Sequence, residues 1–218
     1  MAIVLLIGKL GACYLLGSLS GSLLLGRLRG VDLRQLGSGN AGGTNAFRTQ
    51  GFAFALWVVL IDIGKGALAV PIGRFGIADE TAALQSGLLA LAAAIAGHVW
   101  PLFFGFRGGK GAATLVGGLL TLAPSLLLLP IAVWLLTLML TGYVGLATVL
   151  TGLCFLPSSW FLSDAASRPT WIAASIVIAV FLLFTHRENM RRLSEGSEHR
   201  FDGARLLHRW WAKARPRS

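Results

Sequence analysis

The chain has 218 residues, of which 55% are hydrophobic and only 13% are charged, and its mean hydropathy is +0.72. This balance excludes an ordinary soluble domain and predicts an integral membrane protein. The net charge of +10 does not indicate nucleic-acid binding, because the basic residues flank apolar segments and do not form a soluble patch with interleaved aromatic residues.

Apolar segments of roughly 18 to 22 residues recur along the chain, and a helix of this length crosses a hydrocarbon core of about 30 Å. We predict seven spans, of which the fourth is short. They cover residues 3–26, 52–73, 82–99, 112–123, 125–142, 144–163 and 170–186. The predicted fold class is therefore all-α, a polytopic membrane helix bundle.

Lysine and arginine residues concentrate in three regions of the sequence. Four lie in residues 27–48, two in 107–110, and nine between Arg187 and the C-terminus. The positive-inside rule places all three regions in the cytoplasm. An even number of spans must then separate the second region from the third, so residues 112–142 are predicted to form two helices with a break near Pro124. Seven spans put the N-terminus outside and the C-terminus in the cytoplasm.

The last residues of the chain form a basic extension. We assign residues 1–199 to a single membrane domain and residues 200–218 to the extension. Apolar residues of the extension recur at helical spacing between basic ones, which predicts an amphipathic helix at the membrane interface. A disordered basic tail is the alternative. The apolar residues are Leu206, Leu207, Trp210 and Trp211.

Residues 37–45 read GSGNAGGTN and lie in the first predicted cytoplasmic loop. Gly37, Gly39 and Gly42 match G-x-G-x-x-G, but a dinucleotide site also requires a preceding strand, and an apolar helix precedes this loop. A P-loop around Lys110 is excluded because Gly111 stands where that motif needs serine or threonine. Successive glycines still allow backbone N–H groups to form an anion-binding nest. The preferred ligand is one or two phosphate groups, with neutral donors and cations from Ser38, Asn40, Thr44, Asn45, Arg48 and Lys110.

Three further features allow two interpretations each. His186 and Asn189 share one helix face if the last span continues, which suits either a common ligand or a cap-like structural role. His98, at a span boundary, is favoured as a structural residue over a ligand. Asp62 and Lys65 lie deep in the second span, and their i, i+3 spacing allows an ion pair. Alternatively, Lys65 draws substrate anions inward.

Four segments together resemble a known family. They are DLRQLGSGNAGGTNAFR, DIGKGALAV, GHVWPLFFGFRGGKGAAT and HRENMRRLSEGSE. In this order and spacing they are similar to the signatures of the bacterial acyl-phosphate:glycerol-3-phosphate acyltransferases, the PlsY-type enzymes. The resemblance implies a seven-helix protein of the inner membrane with a cytoplasmic active site. It also implies acyl transfer from acyl phosphate to the 1-hydroxyl of sn-glycerol 3-phosphate, without a cofactor or metal ion.

The resemblance also assigns roles to individual residues. Four residues match those that hold glycerol phosphate or position its hydroxyl: Ser38, Arg48, Lys110 and Asn189. The backbone of residues 39–43, with His186, matches the cradle of the acyl phosphate. The residues of this loop predicted to bind substrate phosphate are Gly37, Gly39, Asn40, Gly42, Gly43, Thr44 and Asn45. Three glycines match a second close approach to phosphate: Gly108, Gly109 and Gly111. Glu198 matches a supporting acidic position. The implied partners are the two substrates, membrane lipids and the enzyme that makes acyl phosphate.

The sequence departs from the family pattern after the fifth span. Gly142 and Gly145 stand where relatives tend to have a cation and a serine, so a substrate contact there is in doubt. A transporter or exporter of phosphorylated metabolites is the alternative function, because broken membrane helices can use similar nests and cations. A metal-dependent phosphotransferase is disfavoured, because the cytoplasmic segments have few carboxylates for magnesium.

Overall fold

The computed structural model describes residues 2–201, and within that range all regular structure is helical. The extension predicted to form an amphipathic helix lies outside the described residues from position 202 onward. The α-helices are α1 (Ala2–Gly17), α2 (Gly21–Leu28), α3 (Gly43–Gln50), α4 (Phe52–Arg74), α5 (Glu80–Val99), α6 (Ala112–Leu122), α7 (Leu128–Thr141), α8 (Val144–Leu162), α9 (Arg168–Thr185) and α10 (Arg187–Ser194).

Five helical segments of the described chain are long and apolar enough to cross a membrane. They are Phe52–Arg74, Glu80–Phe104, Pro124–Thr141, Val144–Leu162 and Arg168–Thr185. A sixth span results if the bent pair α1 and α2 counts as one. Helix α6, which corresponds to the short fourth prediction, has only 11 residues. The structure therefore supports a multi-pass membrane protein with five or six spans by length and composition.

The segment predicted as one span over residues 3–26 is two helices, bent by 46° at a break after Gly17. A break leaves backbone groups without intrahelical partners, which is costly where water is absent. Here α4 supplies the partners: Lys65 Nζ donates to Leu19 O (3.3 Å), and Asp62 Oδ1 accepts from Gly21 N (3.2 Å). The charged pair of α4 therefore stabilises the bend.

The chain divides after Pro124 into two compact units. In the first unit, α4 packs against α5 and α6, and α1 packs against α5. Small residues let the backbones of α4 and α6 approach closely, as is common between membrane helices. A Cβ atom on Gly66 would lie 1.9 Å from Thr114 O, and one on Gly117 would lie 1.9 Å from Ile63 O. This close pairing positions the start of α6.

In the second unit, α8 packs against both α7 and α9, and α10 contacts α8 and α9. Hydrogen bonds from buried serine hydroxyl groups link segments of this unit, as expected where polar groups have no access to water. Ser159 Oγ and Ser175 Oγ are 2.6 Å apart, and Ser158 Oγ donates to Leu126 O (2.7 Å). The predicted break near Pro124 is present, because α6 ends at Leu122 and a 3₁₀ turn spans Pro124–Leu127.

Two glycines of α4 provide a matched test of the α4–α6 contact. Gly66→Ala should destabilise the protein by about 1–3 kcal/mol, because its methyl group must displace the α6 backbone. Gly64→Ala is the control, since nothing lies within 4 Å of a Cβ there. It should be neutral or slightly stabilising, given the higher helix propensity of alanine. Thermal unfolding in detergent micelles, followed by circular dichroism, measures both. Equal unfolding temperatures for the two variants would contradict the described packing.

Candidate active site

The side chain of Asn45 organises the first glycine loop, residues 37–45. It is only 1% exposed, and its Nδ2 donates to Leu33 O (3.0 Å) and Leu36 O (2.9 Å). Its Oδ1 accepts from Ser38 N (2.9 Å). The structure thus gives the Asn45 side chain a bracing role within the loop, and the phosphate contact predicted for this residue stays a prediction.

Gly37 makes this bracing possible. Its φ angle is +57°, in the left-handed region, and a Cβ atom there would lie 2.4 Å from Asn45 Oδ1. A larger residue would therefore suffer backbone strain and displace the bracing amide. The loop leads into α3 with Gly42 as its N-cap residue. The first-turn N–H groups of a helix lack intrahelical acceptors and favour an anion.

Arg34, three residues before the first loop, joins this part of the chain to the second loop, residues 100–111. Its guanidinium group bonds Asp32 through Nε (2.9 Å) and Nη2 (2.7 Å), while Nη1 donates to Phe104 O (2.7 Å) and Arg107 O (3.3 Å). The side-chain hydrogen bonds between Arg34 and Asp32 hold the pKa of Asp32 below its ordinary value and raise the pKa of Arg34. We call the paired side chains the Asp32–Arg34 clip, and the sequence interpretation missed it. The Asp-x-Arg spacing is its only local signal, because the carbonyl partners are about 70 residues away.

The last part of the second loop, residues 108–111, leads into α6, and we call it the glycine strap. Gly108 N donates to Val99 O (3.0 Å), and Gly109 N donates to His98 O (3.1 Å). Gly109 is buried, and a Cβ atom on it would lie 2.1 Å from His98 Nε2 and 3.1 Å from Ala41 O. Only glycine therefore fits where the strap passes between His98 and the first loop.

The two loops meet at Ala41, which is fully buried. Its carbonyl oxygen accepts a hydrogen bond from Ser22 Oγ of α2 (2.9 Å), and it also borders Gly109 of the strap. Lys110, the next residue of the strap, is half-buried, as are Ser38 and Arg48. The structure therefore brings the first and second predicted segments together within the first unit.

Three titratable side chains lie buried beneath this junction. Lys65 Nζ is 2.9 Å from Asp62 Oδ1 and 2.8 Å from His98 Nδ1. The ion pair allowed by the i, i+3 spacing is thus present, and the structural interpretation of His98 is supported. The partnership of His98 with Lys65 joins two different helices across 33 positions of the chain, so no local pattern indicates it.

In the second unit, His186 lies where α9 ends and α10 begins. Its ring is buried, and Nδ1 is 2.9 Å from Leu182 O. A carbonyl oxygen only accepts, so Nδ1 carries a hydrogen atom. In a neutral ring Nε2 is then an acceptor, and donation from Nε2 to a phosphate oxygen requires the protonated imidazolium.

Glu198 holds two residues of α10 at once. Its Oε1 accepts from Asn189 Nδ2 (2.6 Å), and its Oε2 accepts from Arg192 Nε (2.8 Å). The Glu198 side chain is only 4% exposed, which strengthens both bonds relative to a solvated pair. The bond fixes the orientation of the Asn189 amide, and the supporting role of Glu198 in the site stays a prediction.

Gly145 and Gly142 are the two positions that depart from the family pattern. Gly145 lies beside α10, and Gly142 lies at the end of α7. A Cβ atom on Gly145 would lie 2.6 Å from Asn189 Cβ and 2.9 Å from its Nδ2. Gly145 therefore admits the Asn189 side chain in its present position. Gly142 is the C-cap residue of α7, with a φ angle of +78°, and its carbonyl oxygen accepts from Phe201 N (2.8 Å). Both glycines therefore have a structural role within the second unit.

The same family of known proteins resembles this chain in both sequence and structure. The family described as "Glycerol-3-phosphate acyltransferase" matches residues 7–196. A protein of that name from Thermus thermophilus is 42% identical, with 86% of this chain and 90% of the relative covered. One from Chlorobaculum tepidum is 38% identical, with 88% and 94% covered.

Two crystal structures of PlsY, an integral membrane glycerol 3-phosphate acyltransferase, share this fold at 36% identity. The glycerol 3-phosphate form has a TM-score of 0.77, and the lysophosphatidic acid form has one of 0.74. Each comparison covers 90% of this chain and 95% of the other.

The Asp32–Arg34 clip predicts a pH dependence of stability. The pKa of Asp32 is lowered in the folded protein, so its stabilising contribution is present above the unfolded pKa of about 3.9 and is lost as the pH falls through the folded pKa. Asp32→Asn should therefore unfold at a lower temperature than the parent protein at pH 7. This difference in unfolding temperature between the variant and the parent protein should shrink below about pH 4. A difference in unfolding temperature that does not change on acidification would show that the charge of Asp32 does not stabilise the loop.

Two glutamates near the end of α10 provide a matched test of the Asn189 support. Glu198→Ala should lower acyltransferase activity about tenfold or more, because Asn189 and Arg192 lose their shared partner and the amide can rotate. Glu195→Ala is the control, since Glu195 also pairs with an arginine, Arg191 (3.0 Å), but its side chain is 48% exposed. It should retain near-parental activity. Steady-state rates per folded molecule measure the difference, and equal losses in both variants would refute the supporting role.

Proposed function

The chain belongs to the glycerol-3-phosphate acyltransferase family, and we propose that it uses an acyl phosphate as its acyl donor. It is an integral membrane enzyme that acylates glycerol 3-phosphate. In the proposed reaction, the acyl group moves to the 1-hydroxyl of sn-glycerol 3-phosphate. The products are inorganic phosphate and lysophosphatidate, and the related PlsY enzyme has been crystallised in a lysophosphatidic acid form.

The chemistry of an acyl phosphate explains why few acid or base groups are needed. The substrate hydroxyl oxygen forms a bond to the carbonyl carbon, and the bond from that carbon to the phosphate oxygen breaks. The departing phosphate takes the hydroxyl proton on one of its oxygens. The protein then contributes mainly by orienting two anionic substrates and by stabilising the charge that develops on them.

One observation carries this proposal: the two glycine loops meet at Ala41 and Gly109, and each leads into the N-terminus of a helix. Helix N-termini and glycine nests both favour phosphate. Two such elements side by side suit a reaction with two phosphate-bearing substrates. The half-buried Lys110 and Arg48 lie on these elements and add positive charge.

We assign the individual roles as follows. Arg48, Lys110 and Ser38 bind the phosphate of glycerol 3-phosphate or position its hydroxyl. The backbone of residues 37–45 cradles the acyl phosphate, as does that of the strap. Cradle residues in these two segments are Gly37, Gly39, Asn40, Gly42, Gly43, Thr44, Gly108, Gly109 and Gly111. Asn45 acts through its backbone and by bracing the loop.

In the second unit, we assign substrate contacts to His186 and Asn189. A His186 ring that is protonated on Nδ1 binds a phosphate oxygen only as the imidazolium, and it otherwise accepts a hydrogen bond at Nε2. Asn189 contributes its amide, oriented by Glu198. Glu198 supports the site and does not take part in the chemistry.

The proposal extends to topology and location. We place the protein in the bacterial inner membrane, with seven crossings, the N-terminus outside and the active site on the cytoplasmic side. Residues 1–199 then act as one acyltransferase domain. The enzyme that makes acyl phosphate is the expected partner, and membrane lipids surround the helices. Membership of an acyltransferase family favours this function over the transporter alternative.

Purified protein incubated with acyl phosphate and glycerol 3-phosphate should produce lysophosphatidate, whereas acyl-CoA should not replace the acyl phosphate. Lys110→Ala should lower kcat/KM about a hundredfold or more, because a charged donor to a substrate phosphate is lost. Arg107→Ala, which removes an exposed cation from the same loop, should change the rate little. Product formation is measured by mass spectrometry of extracted lipids.

Two outcomes would overturn parts of the proposal. No lysophosphatidate from acyl phosphates of any chain length would exclude the proposed donor. Near-parental turnover in folded Lys110→Ala protein would remove that residue from the site, whatever the donor is.

A further inference from the structure

The cluster of Asp62, Lys65 and His98 has no part in the proposed chemistry, yet it is the most deeply buried charged group of the first unit. The three residues are 1%, 3% and 3% exposed. Ionisable groups within membrane helices are costly, and they are retained mainly where they serve a function. Stabilising the bend between α1 and α2 explains Asp62 and Lys65, but it does not explain His98.

The contacts of Lys65 define which nitrogen of His98 carries the hydrogen. Lys65 Nζ has three acceptors around it: His98 Nδ1 at 2.8 Å, Asp62 Oδ1 at 2.9 Å and Leu19 O at 3.3 Å. An ammonium group has three N–H donors and no acceptor, so each donor has one partner. His98 Nδ1 also lies 3.4 Å from Asp62 Oδ1, a contact that would need a hydrogen on Nδ1. Its contact with the Lys65 ammonium is shorter, so Nδ1 is assigned as the acceptor, and a neutral imidazole that accepts at Nδ1 carries its hydrogen on Nε2.

The opposite edge of the same ring lies beneath the glycine strap. A Cβ atom on Gly109 would be 2.1 Å from His98 Nε2 and 2.9 Å from its Cε1. The backbone of His98 also holds the strap, because Gly109 N donates to His98 O (3.1 Å). Any rotation of the imidazole would therefore push against Gly109 and move the neighbouring Lys110.

We propose that His98 is a positioning residue for the glycine strap, and that Lys65, held by Asp62, fixes the ring tautomer that presents Nε2–H to Gly109. His98 acts through the strap and makes no contact with substrate. The cluster thus links the bend between α1 and α2 to the placement of Lys110. This inference rests on the proposed function, since it treats the strap as part of the substrate site.

Two substitutions of His98 test the contributions of its two ring nitrogen atoms separately. In His98→Asn, the amide oxygen takes the place of Nδ1 and accepts from Lys65, but nothing lies beneath Gly109. In His98→Gln, the amide nitrogen takes the place of Nε2 beneath Gly109, but Lys65 loses an acceptor. His98→Asn should therefore be the more stable variant, and His98→Gln should be the more active one per folded molecule.

The measurements are the unfolding temperature and kcat/KM for glycerol 3-phosphate. We expect His98→Asn to lose on the order of tenfold to a hundredfold in kcat/KM, as expected for a small misplacement of a binding group. His98→Gln should recover most of that loss. Ser86→Ala, which removes a buried hydrogen bond to Gly73 O from the other end of α5, controls for general destabilisation and should keep its activity. Activity that follows stability, with His98→Asn at least as active as His98→Gln, would overturn the positioning role.

The tautomer of His98 can be tested without an activity measurement. Nitrogen-15 NMR of histidine-labelled protein, with the His98 signals assigned by their loss in His98→Asn, should show an unprotonated Nδ1 and a protonated Nε2. A protonated Nδ1, in either the neutral or the cationic ring, would overturn the inference. If the parent protein forms no lysophosphatidate, the proposed donor fails, whereas the tautomer result still stands or falls by itself.

Discussion

The first unit depends on one buried ion pair. A bend in a membrane helix exposes backbone groups that cannot be hydrated, and Lys65 and Asp62 satisfy Leu19 O and Gly21 N at the bend between α1 and α2. Removing either charge would leave both a buried unpaired ion and an unsatisfied backbone group. Because α2 leads through residues 29–36 to the first glycine loop, the pair also influences where that loop begins.

The glycine loops are rigid because polar side chains brace them from within. Asn45 spans the first loop with three hydrogen bonds, and Arg34 joins it to the carbonyl groups of the second. In the proposed site, glycine supplies space for a phosphate close to the backbone, while the bracing residues remove the conformational freedom that glycine would otherwise introduce. Donors that are already oriented need no reorganisation when charge develops, which is how such sites stabilise a transition state.

Sequence reasoning predicted what depends on local pattern and missed what depends on distant contacts. Hydropathy located the long helices to within a few residues, and the glycine-rich composition identified both loops. The break after Gly17 was missed, because residues 3–26 have no charged residue near the bend and its partners lie in α4. The contacts of Arg34 and the partnership of His98 with Lys65 were missed for the same reason. The bracing role of Asn45 was also missed, because composition alone does not reveal which donors the loop itself uses.

In the proposed topology α6 crosses the membrane, and its shortness then affects the surrounding lipid. Eleven residues rise about 16 Å, roughly half of a hydrocarbon core of about 30 Å. Such hydrophobic mismatch requires either a locally thinned bilayer or a helix start that lies deeper than the headgroups. In both cases the glycine strap that precedes α6 is near the acyl region of the membrane. A water-soluble phosphate and a lipid tail can therefore meet at one depth, without extraction of the tail into water.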